Sequence, residues 1–293
     1  MLSRAAFAAL LPTPVIGMVH LAPLPGSSEY GGDLDEVLRA ALRDAAALRE
    51  GGVGAVLVEN FHDAPFHPGR VPPVTVACLA VVVRTLRTAH PELPVGVNVL
   101  RNDAEAALAV AAATGAAFVR VNVHAGAAVT DQGLIGGRAH RTLRLRRDLG
   151  LAPGDAAGGV AILADLRVKH ARPLAERPLA EEAQDLRRRG RADVIIVTGV
   201  ATGAGVAAGD LMETRRAVPD APLLAGSGVT TATAFELAAL ADGCIVGTAL
   251  KAEGDMQAPV SVARTRDLVS AWVAGRQAAR EPGSVNATGG TKR

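Results

Sequence analysis

The chain has 293 residues, of which 49% are hydrophobic, 20% are charged and only 2% are aromatic. A net charge of +2 and the scarcity of aromatic rings exclude a general nucleic-acid-binding surface, which needs a basic field and stacking side chains. The apolar runs are too short for a membrane span, and Cys78 and Cys244 have neither C-x-x-C spacing nor a disulfide framework, which favours reduced thiols and a cytoplasmic location.

Short apolar runs alternate with helical segments along most of the chain. The predicted strands are, in order, Val15 to Leu21, Ala55 to Glu59, Val95 to Leu100, Phe118 to His124, Val160 to Leu166, Val194 to Thr198, Pro222 to Ala225 and Gly243 to Val246. The predicted helices are about Leu34 to Arg49, Thr75 to Ala89, the segment capped by Asp103 and ended by Thr114, Arg138 to Leu149, Leu179 to Arg189, Leu211 to Val218, a short segment opened by Thr231 or Thr233, and Val260 to Ala274.

This alternation is typical of a parallel sheet, and eight units predict an α/β protein built as a single (β/α)8 TIM barrel. The barrel domain is expected to cover residues 1–279. Its first residues, Met1 to Pro14, run into the first strand without space for a cleavage site, so we interpret them as a segment that plugs the bottom of the barrel. The polar residues 280–293 predict a disordered tail.

Polar residues on the fourth predicted strand alternate with valines. Arg120, Asn122 and His124 share one face, and the valines between them suit packing under helices, so the polar face should line the lumen or its mouth. The polar face of the next strand holds Asp165, Arg167 and Lys169. Neighbouring strands therefore bring Arg120 and Asp165 close enough to pair, as a buried charge requires.

A carboxylate beside a lysine can divide general acid and base roles. The candidate catalytic residues are Glu59 or Asp165 as base and Lys169 as acid or Schiff-base nucleophile, with His20 and His124 in support. Other polar residues at strand ends and in the second loop are candidate substrate ligands: Asn98, Asn122, Asp63 and Thr198. A purely structural ion-pair network is the alternative explanation for the charged residues.

A divalent metal is another occupant that these side chains could accept. Its donors would be His20, His62, His124, Asp63 and Asp165. Their spacing matches no short metal-binding motif, and a lone histidine more often makes a hydrogen bond. The glycines between Gly203 and Gly209 also lack the G-x-G-x-x-G spacing of a dinucleotide site, so no cofactor is predicted.

Two glycine-containing turns follow the last two strands, Gly226-Ser227-Gly228 and Gly247-Thr248. Glycine lets backbone N–H groups approach a ligand closely, and a following helix attracts an anion at its N-terminus. TIM barrels build a phosphate-binding cup after their seventh and eighth strands. We therefore expect a phosphorylated small molecule as ligand, although the same glycines would also serve tight turns alone.

Long motifs recur at nearly every predicted strand end. They are GMVHLAPLPG (17–26), VENFHDAPF (58–66), GVNVLRND (96–103), VRVNVHAGAAVTDQGLIGG (119–137), ILADLRVKHARPL (162–174), AGSGVT (225–230) and VGTALK (246–251). Over about Val15 to Val273 this set resembles the BtpA family of (β/α)8-barrel proteins. The resemblance implies a barrel similar to the ribulose-phosphate-binding class, and the family's name implies a part in photosystem I biogenesis.

Two classes of function follow from these features. An enzyme that acts on a small phosphorylated, sugar-phosphate-like metabolite, as a lyase or isomerase, would use both the cup and the charged mouth. A non-catalytic assembly or stability factor would explain the family's name but leave those groups without a task. The sequence leaves both a monomer and a homo-oligomer open, and a fold of this kind hosts many chemistries.

Overall fold

The computed structural model describes residues 1–153, 159–199 and 206–280. The predicted tail beyond Arg280, residues 200–205 of the glycine-rich segment and the middle of the link between Gly150 and Gly159 lie outside these residues. The strands are, in chain order, β1 Val15–His20, β2 Ala55–Glu59, β3 Val95–Asn98, β4 Phe118–Val121, β5 Ala127–Thr130, β6 Gly133–Gly136, β7 Ala161–Asp165, β8 Ala171–Pro173, β9 Val194–Thr198, β10 Leu223–Gly226 and β11 Gly243–Val246.

Eight of these strands close a parallel barrel in the order β1-β11-β10-β9-β7-β4-β3-β2. The seam joins β1 to β11, where Val15 pairs with Cys244. The helices are α1 Arg4–Leu10, α2 Leu34–Glu50, α3 Pro73–Ala89, α4 Ala104–Thr114, α5 Ala139–Asp148, α6 Leu179–Gln184, α7 Ala208–Ala217, α8 Thr231–Leu240 and α9 Val262–Arg280. A π-helical turn, Asp185–Arg189, continues α6. The predicted TIM barrel is confirmed.

Local capping explains where two of the helices begin. The Asp33 carboxylate accepts a hydrogen bond from the backbone N–H of Glu36, and that of Asp103 accepts one from Ala106. The cap at Asp103 was predicted from the sequence and is confirmed. In the described part of the chain, no helix has the length and apolar character needed to cross a membrane.

Small and branched side chains fill the lumen. One buried cluster combines inward-facing strand residues such as Met18, Phe118 and Ile196 with Phe7 and Leu11 of the N-terminal segment. The outward-facing valines of the strands belong to a second, larger cluster beneath the helices. The two faces of each strand are thus both apolar low in the barrel, as expected for parallel strands buried on both sides.

Gly96 provides the space that Phe118 occupies in the lumen. A Cβ atom at Gly96 would lie 2.0 to 2.5 Å from atoms of the Phe118 ring. We expect Gly96→Ala to lower the free energy of unfolding by about 1–3 kcal/mol in urea denaturation, because overpacking displaces the ring. In the matched control Gly209→Ala, on α7, the added Cβ has no neighbour within 4 Å and should stabilise the helix by up to about 1 kcal/mol. Equal effects of the two changes would contradict this account.

A small antiparallel sheet in the order β6-β5-β8 lies outside the barrel. No strand was predicted between His124 and the helix that begins at about Arg138, which left Ala125 to Gly136 as a loop, and this is wrong because the segment folds into the β5–β6 hairpin. A small apolar core stabilises the sheet: Ala128 and Ile135 of the hairpin pack with Val123 and Val168 from the ends of the barrel strands. The sheet therefore stands over the C-terminal ends of β4 and β7.

Candidate functional site

A buried ionic cluster lies at the C-terminal ends of four adjacent strands. Arg120 of β4 has its Nη2 atom 3.1 Å from both carboxylate oxygens of Asp165 on β7, so the predicted pair is confirmed. Its Nη1 atom lies 3.9 Å from Oε2 of Glu59 on β2. All three side chains are largely withdrawn from solvent. Arg120 thus lies between two carboxylates in the upper lumen.

Two asparagines complete the hydrogen bonding of the carboxylates. Asn122 donates from Nδ2 to Oδ2 of Asp165 at 2.7 Å, and Asn98 donates to Oε2 of Glu59. Both oxygens of Asp165 are therefore engaged. In Glu59, Oε1 accepts no hydrogen bond from the described residues, and Nε2 of His20 lies 4.0 Å from it. Glu59 keeps one oxygen available for a proton, whereas Asp165 is committed to holding Arg120.

Burial shifts the pKa values of the cluster in opposite directions. It raises the pKa of Glu59 and of Asp165, with Arg120 as the main opposing influence in each case. Burial lowers the pKa of Lys169, and the positive charge of Arg120 lowers it further. The carboxylates and the lysine are thus moved toward the neutral range in which general acids and bases work best.

His20 ends β1 beside this cluster. Its ring lies 4.4 Å from the ring of Phe61, and its Nε2 atom faces Glu59. Burial, followed by the charge of Lys251, lowers its pKa to about 3, so the imidazole is neutral near pH 7. The same ring leaves space only for glycine at Gly247, because a Cβ atom there would lie 2.7 Å from Cε1 of His20. His20 can therefore hydrogen-bond to a ligand or to Glu59 without adding a charge.

The lowered pKa of His20 predicts a loss of stability in acid. The unfolded state takes up the proton below the ordinary pKa of 6.5, whereas the folded state resists until about 3, so stability falls with pH across that window. Between pH 7 and pH 4.5 the wild-type protein should lose about 2–3 kcal/mol more than His20→Gln. Denaturant titrations of both proteins at the two pH values check this. Equal losses of stability in the two proteins would show that folding does not lower the pKa of His20.

Lys169 lies in a turn after β7, not on the strand. The expectation that Asp165, Arg167 and Lys169 share one extended face is wrong, because the strand ends at Asp165 and His170 adopts a left-handed conformation with φ of 57°. Arg167 instead pairs with Glu182 of α6 at 2.8 Å. Lys169 is still within electrostatic range of the cluster, since its charge acts on His20 and that of Arg120 acts on Lys169.

Arg101 was missed in the sequence analysis. It follows β3, is buried, and donates from Nη2 to the backbone carbonyl of Lys169 at 2.7 Å. It thereby joins the loop after β3 to the turn that carries Lys169. The charges of Asp165, Asp131 and Glu59 all act on it. Its place directly after a strand end, inside the motif GVNVLRND, was the signal that could have identified it.

His124 does not join the cluster. β4 ends at Val121, and the chain then turns so that Nε2 of His124 lies 2.8 Å from the carbonyl oxygen of Gly190, at the end of the π-helical turn. Burial lowers its pKa, and the charges that act on it are those of Arg146 and Asp193, not those of the cluster. The expectation that His124 lines the mouth with Arg120 is therefore wrong.

Asp63 and Thr198 connect loops in the structure. Asp63 accepts hydrogen bonds from the backbone N–H of Leu24 at 2.8 Å and from Nδ2 of Asn60 at 3.0 Å, which joins the loops after β1 and β2. Thr198 donates its hydroxyl proton to the carbonyl of Arg167 and so holds the chain after β7. Both side chains already have partners, and their effect on the mouth is to position its loops.

The predicted cup lies where β10 and β11 end. Gly226 is required by packing, because a Cβ there would lie 2.6 Å from Ile196 and 2.8 Å from Thr198. Ser227 and Gly228 then adopt left-handed conformations with φ of 49° and 79°. Thr230 and Thr233 form a capping box at the start of α8. On the other turn, the Thr248 hydroxyl lies 3.4 Å from the sulfur of Met256.

The proposed metal donors are dispersed. His124 is bound to Gly190, and Asp63 is bound to backbone and amide groups. Across residues 1–153, 159–199 and 206–280, no three His, Cys, Asp or Glu side chains come together as a group that could hold a metal ion.

A closed parallel barrel with buried charges at the C-terminal ends of its strands defines a (β/α)8-barrel protein whose polar cluster occupies the position at which this fold places its active sites. The sequence pattern of the BtpA family matches residues 12–274, and the chain belongs to that family.

Relatives from distant organisms share nearly the whole chain. The photosystem I biogenesis protein BtpA of Synechocystis is 43% identical over 280 residues, which cover 95% of each chain. An uncharacterised protein of Thermococcus kodakarensis is 46% identical over 256 residues, covering 87% of this chain and 94% of its own. An uncharacterised mitochondrial protein of Caenorhabditis elegans is 32% identical and covers 82% of this chain and 86% of its own.

Solved structures with the same fold are much more distant in sequence. Tryptophan synthase from M. tuberculosis superposes with a TM-score of 0.57 at 18% identity, over 92% of this chain and 98% of its own. N-(5'-phosphoribosyl)anthranilate isomerase from Pyrococcus furiosus gives a TM-score of 0.52 at 11% identity, over 88% of this chain and 98% of its own. At these identities the likeness shows the barrel fold.

Proposed function

We propose that the protein is an enzyme that acts on a small phosphorylated metabolite, as a lyase or isomerase, by acid/base chemistry at the C-terminal mouth of the barrel. The observation that carries this proposal is Glu59, a buried carboxylate at a strand end whose Oε1 atom accepts no hydrogen bond from the described residues. A buried charge is costly for stability, so a carboxylate held in this state is best explained by a chemical task.

The roles divide among three groups. Glu59 is the general base, since its raised pKa makes it a stronger base than a surface carboxylate. Lys169 is the general acid or the amine that attacks a carbonyl, and its lowered pKa suits either role. Arg120, whose position is fixed by Asp165, offers positive charge to an oxyanion that develops on the substrate during the reaction. Asn98 orients Glu59 through its hydrogen bond, and the neutral ring of His20 lies beside the other carboxylate oxygen.

The phosphate group is assigned to the cup formed by Gly226-Ser227-Gly228 and Gly247-Thr248. A thermal-shift screen of phosphorylated metabolites against the purified protein tests this assignment and searches for the substrate. A ligand at 100 times its Kd should stabilise the protein by about 2.7 kcal/mol, which gives a visible rise in Tm.

Gly228→Leu should abolish that ligand-dependent rise while the apo protein remains folded, because the added side chain enters the cup. Gly150→Leu is the matched control. The φ angle of Gly150 is 67°, close to the 79° of Gly228, and an added Cβ at Gly150 would have no neighbour within 4 Å. The control should keep the full ligand response. An undiminished response in Gly228→Leu would remove the cup from the proposal.

The second candidate function is an assembly or stability factor, favoured by the name of the Synechocystis relative. Its partner surface would be the outer face of the small sheet, where Val129, Leu134 and Leu174 are exposed. Affinity purification from the native host should then recover a stable protein partner, and Leu134→Glu should release it. Turnover of a small metabolite without any recovered partner would dispose of this candidate.

A further inference from the structure

A cavity of about 1040 Å³, here called the lateral cavity, opens between the small sheet and the α6 helix with its π-helical turn. Asn122 and Asp165 line it, so it is continuous with the buried ionic cluster. The cup after β10 and β11 contributes none of its lining. The acid/base cluster therefore has the predicted phosphate site on one side and a large separate space on the other.

The lining of the lateral cavity offers an apolar surface beside its polar groups. Much of it is apolar and comes from the ends of β4 and β7, the small sheet and the π-helical turn, as in Val123, Ala128, Leu166, Val168, Ala171 and Leu186. Its acidic groups are largely neutralised, since Glu182 pairs with Arg167 and Asp185 with Arg177.

Asn122 supplies the polar contact. Its Nδ2 atom donates to Asp165, whereas its Oδ1 atom is buried and accepts no hydrogen bond in the described part of the chain. A buried acceptor without a donor is rare in native proteins and is explained when a ligand supplies the donor. The group that enters the lateral cavity should therefore carry an N–H or O–H that reaches Asn122.

The volume of the lateral cavity and its distance from the cup indicate the size of the ligand. Pockets of about 300–1,000 Å³ enclose drug-sized molecules, so the lateral cavity alone exceeds the needs of a sugar phosphate. β7 and β10 are separated by β9, so about 10 Å lies between their ends, given strand spacings near 4.8 Å. A ligand with its phosphate in the cup and its other end in the lateral cavity spans this distance.

We propose that the lateral cavity binds the ring of a nucleotide-sized substrate, a sugar phosphate that carries a nitrogen heterocycle with an N–H donor for Asn122. This proposal rests on the proposed function and specifies the substrate class of the same site. The sugar then lies over Glu59, Arg120 and Lys169, where the acid/base chemistry acts on it.

Isothermal titration calorimetry tests the proposal with three kinds of probe: inorganic phosphate, ribose 5-phosphate, and the 5′-monophosphates of adenosine, guanosine, cytidine and uridine. Each of these bases carries an N–H donor. At least one nucleotide should bind about tenfold or more tightly than ribose 5-phosphate, because ring burial adds apolar contact and the hydrogen bond to Asn122.

Filling the lateral cavity should remove that advantage. Ala171→Phe places a ring inside it from β8, and Ala175→Trp does so from an exposed position that tolerates substitution. Both variants should lose the nucleotide preference while binding ribose 5-phosphate as the wild type does. Leu134→Phe is the control, since Leu134 lies on the same small sheet, is 62% exposed and does not line the lateral cavity.

The outcomes separate this proposal from the one on which it rests. If ribose 5-phosphate binds and every nucleotide binds less than tenfold more tightly, the lateral cavity proposal is overturned and the phosphate site stands. Retention of the nucleotide preference in the folded Ala175→Trp variant also overturns it. If inorganic phosphate binds but neither ribose 5-phosphate nor any nucleotide does, the lateral cavity proposal is overturned and the phosphate site stands, whereas both proposals fail together if no probe binds.

Discussion

Asp165→Asn should lower the free energy of unfolding by about 3–5 kcal/mol, the range found when one partner of a buried ion pair is removed. Asp165 is the only carboxylate that the described residues place within hydrogen-bond distance of the Arg120 guanidinium, at 3.1 Å, while Glu59 stays at 3.9 Å. The raised pKa of Asp165 shows that burial does not favour its charge, so the loss comes mainly from leaving Arg120 unpaired. Urea denaturation near pH 7 measures it.

A double variant separates this cause from simple loss of packing. Arg120→Met combined with Asp165→Leu removes both charges and fills similar volume, so it should recover most of the stability lost in Asp165→Asn. If Asp165→Asn alone lowers the free energy of unfolding by less than about 1 kcal/mol, the pair is not what holds Arg120, and Asp165 becomes a candidate base again.

Glu59→Gln should reduce kcat by about 10²- to 10⁴-fold, the contribution typical of a general base. Stability should change little, because glutamine keeps an oxygen for the Asn98 hydrogen bond and removes a buried charge whose pKa is already raised. The measurement uses the substrate found in the thermal-shift screen. Glu105→Gln is the matched control, since Glu105 of α4 pairs with Arg70 and Arg141, does not line the lateral cavity, and should leave kcat nearly unchanged.

The pH profile of kcat/KM provides an independent check. Activity should rise with pH as Glu59 loses its proton and fall as Lys169 loses its proton. Burial raises the first pKa and lowers the second, so both limbs move toward neutrality and the bell narrows. Glu59→Gln should remove the acidic limb. If that limb persists unchanged in the variant, another group is the base.

Strand parity predicted the Arg120–Asp165 pair because a period of two fixes which residues share a face while the backbone stays extended. The same rule failed at Arg167 and His124, since β7 ends at Asp165 and β4 at Val121. Where a strand ends depends on hydrogen bonds with distant segments, such as that from His124 to Gly190. No local pattern contains such a partner.

The small sheet was missed for a related reason. The β5–β6 hairpin alone is a two-stranded unit with little apolar surface, and such hairpins are marginal in isolation. Its core needs Val168 and the pairing with β8, which comes about 40 residues later in the chain. The sequence therefore predicted the barrel, whose repeat is local, and the charged strand ends. It did not predict the small sheet that lies over the mouth and encloses the lateral cavity.

The seam between Val15 and Cys244 joins the first barrel strand to the last. During synthesis the ring cannot close until β11 has left the ribosome, so the nascent protein carries two open sheet edges for most of its translation. One of these edges is β1, which is apolar except at its last residue, His20, and an apolar edge favours adhesion to other chains. Cellular yield should therefore depend on chaperones that shield these edges, whatever the stability of the finished barrel.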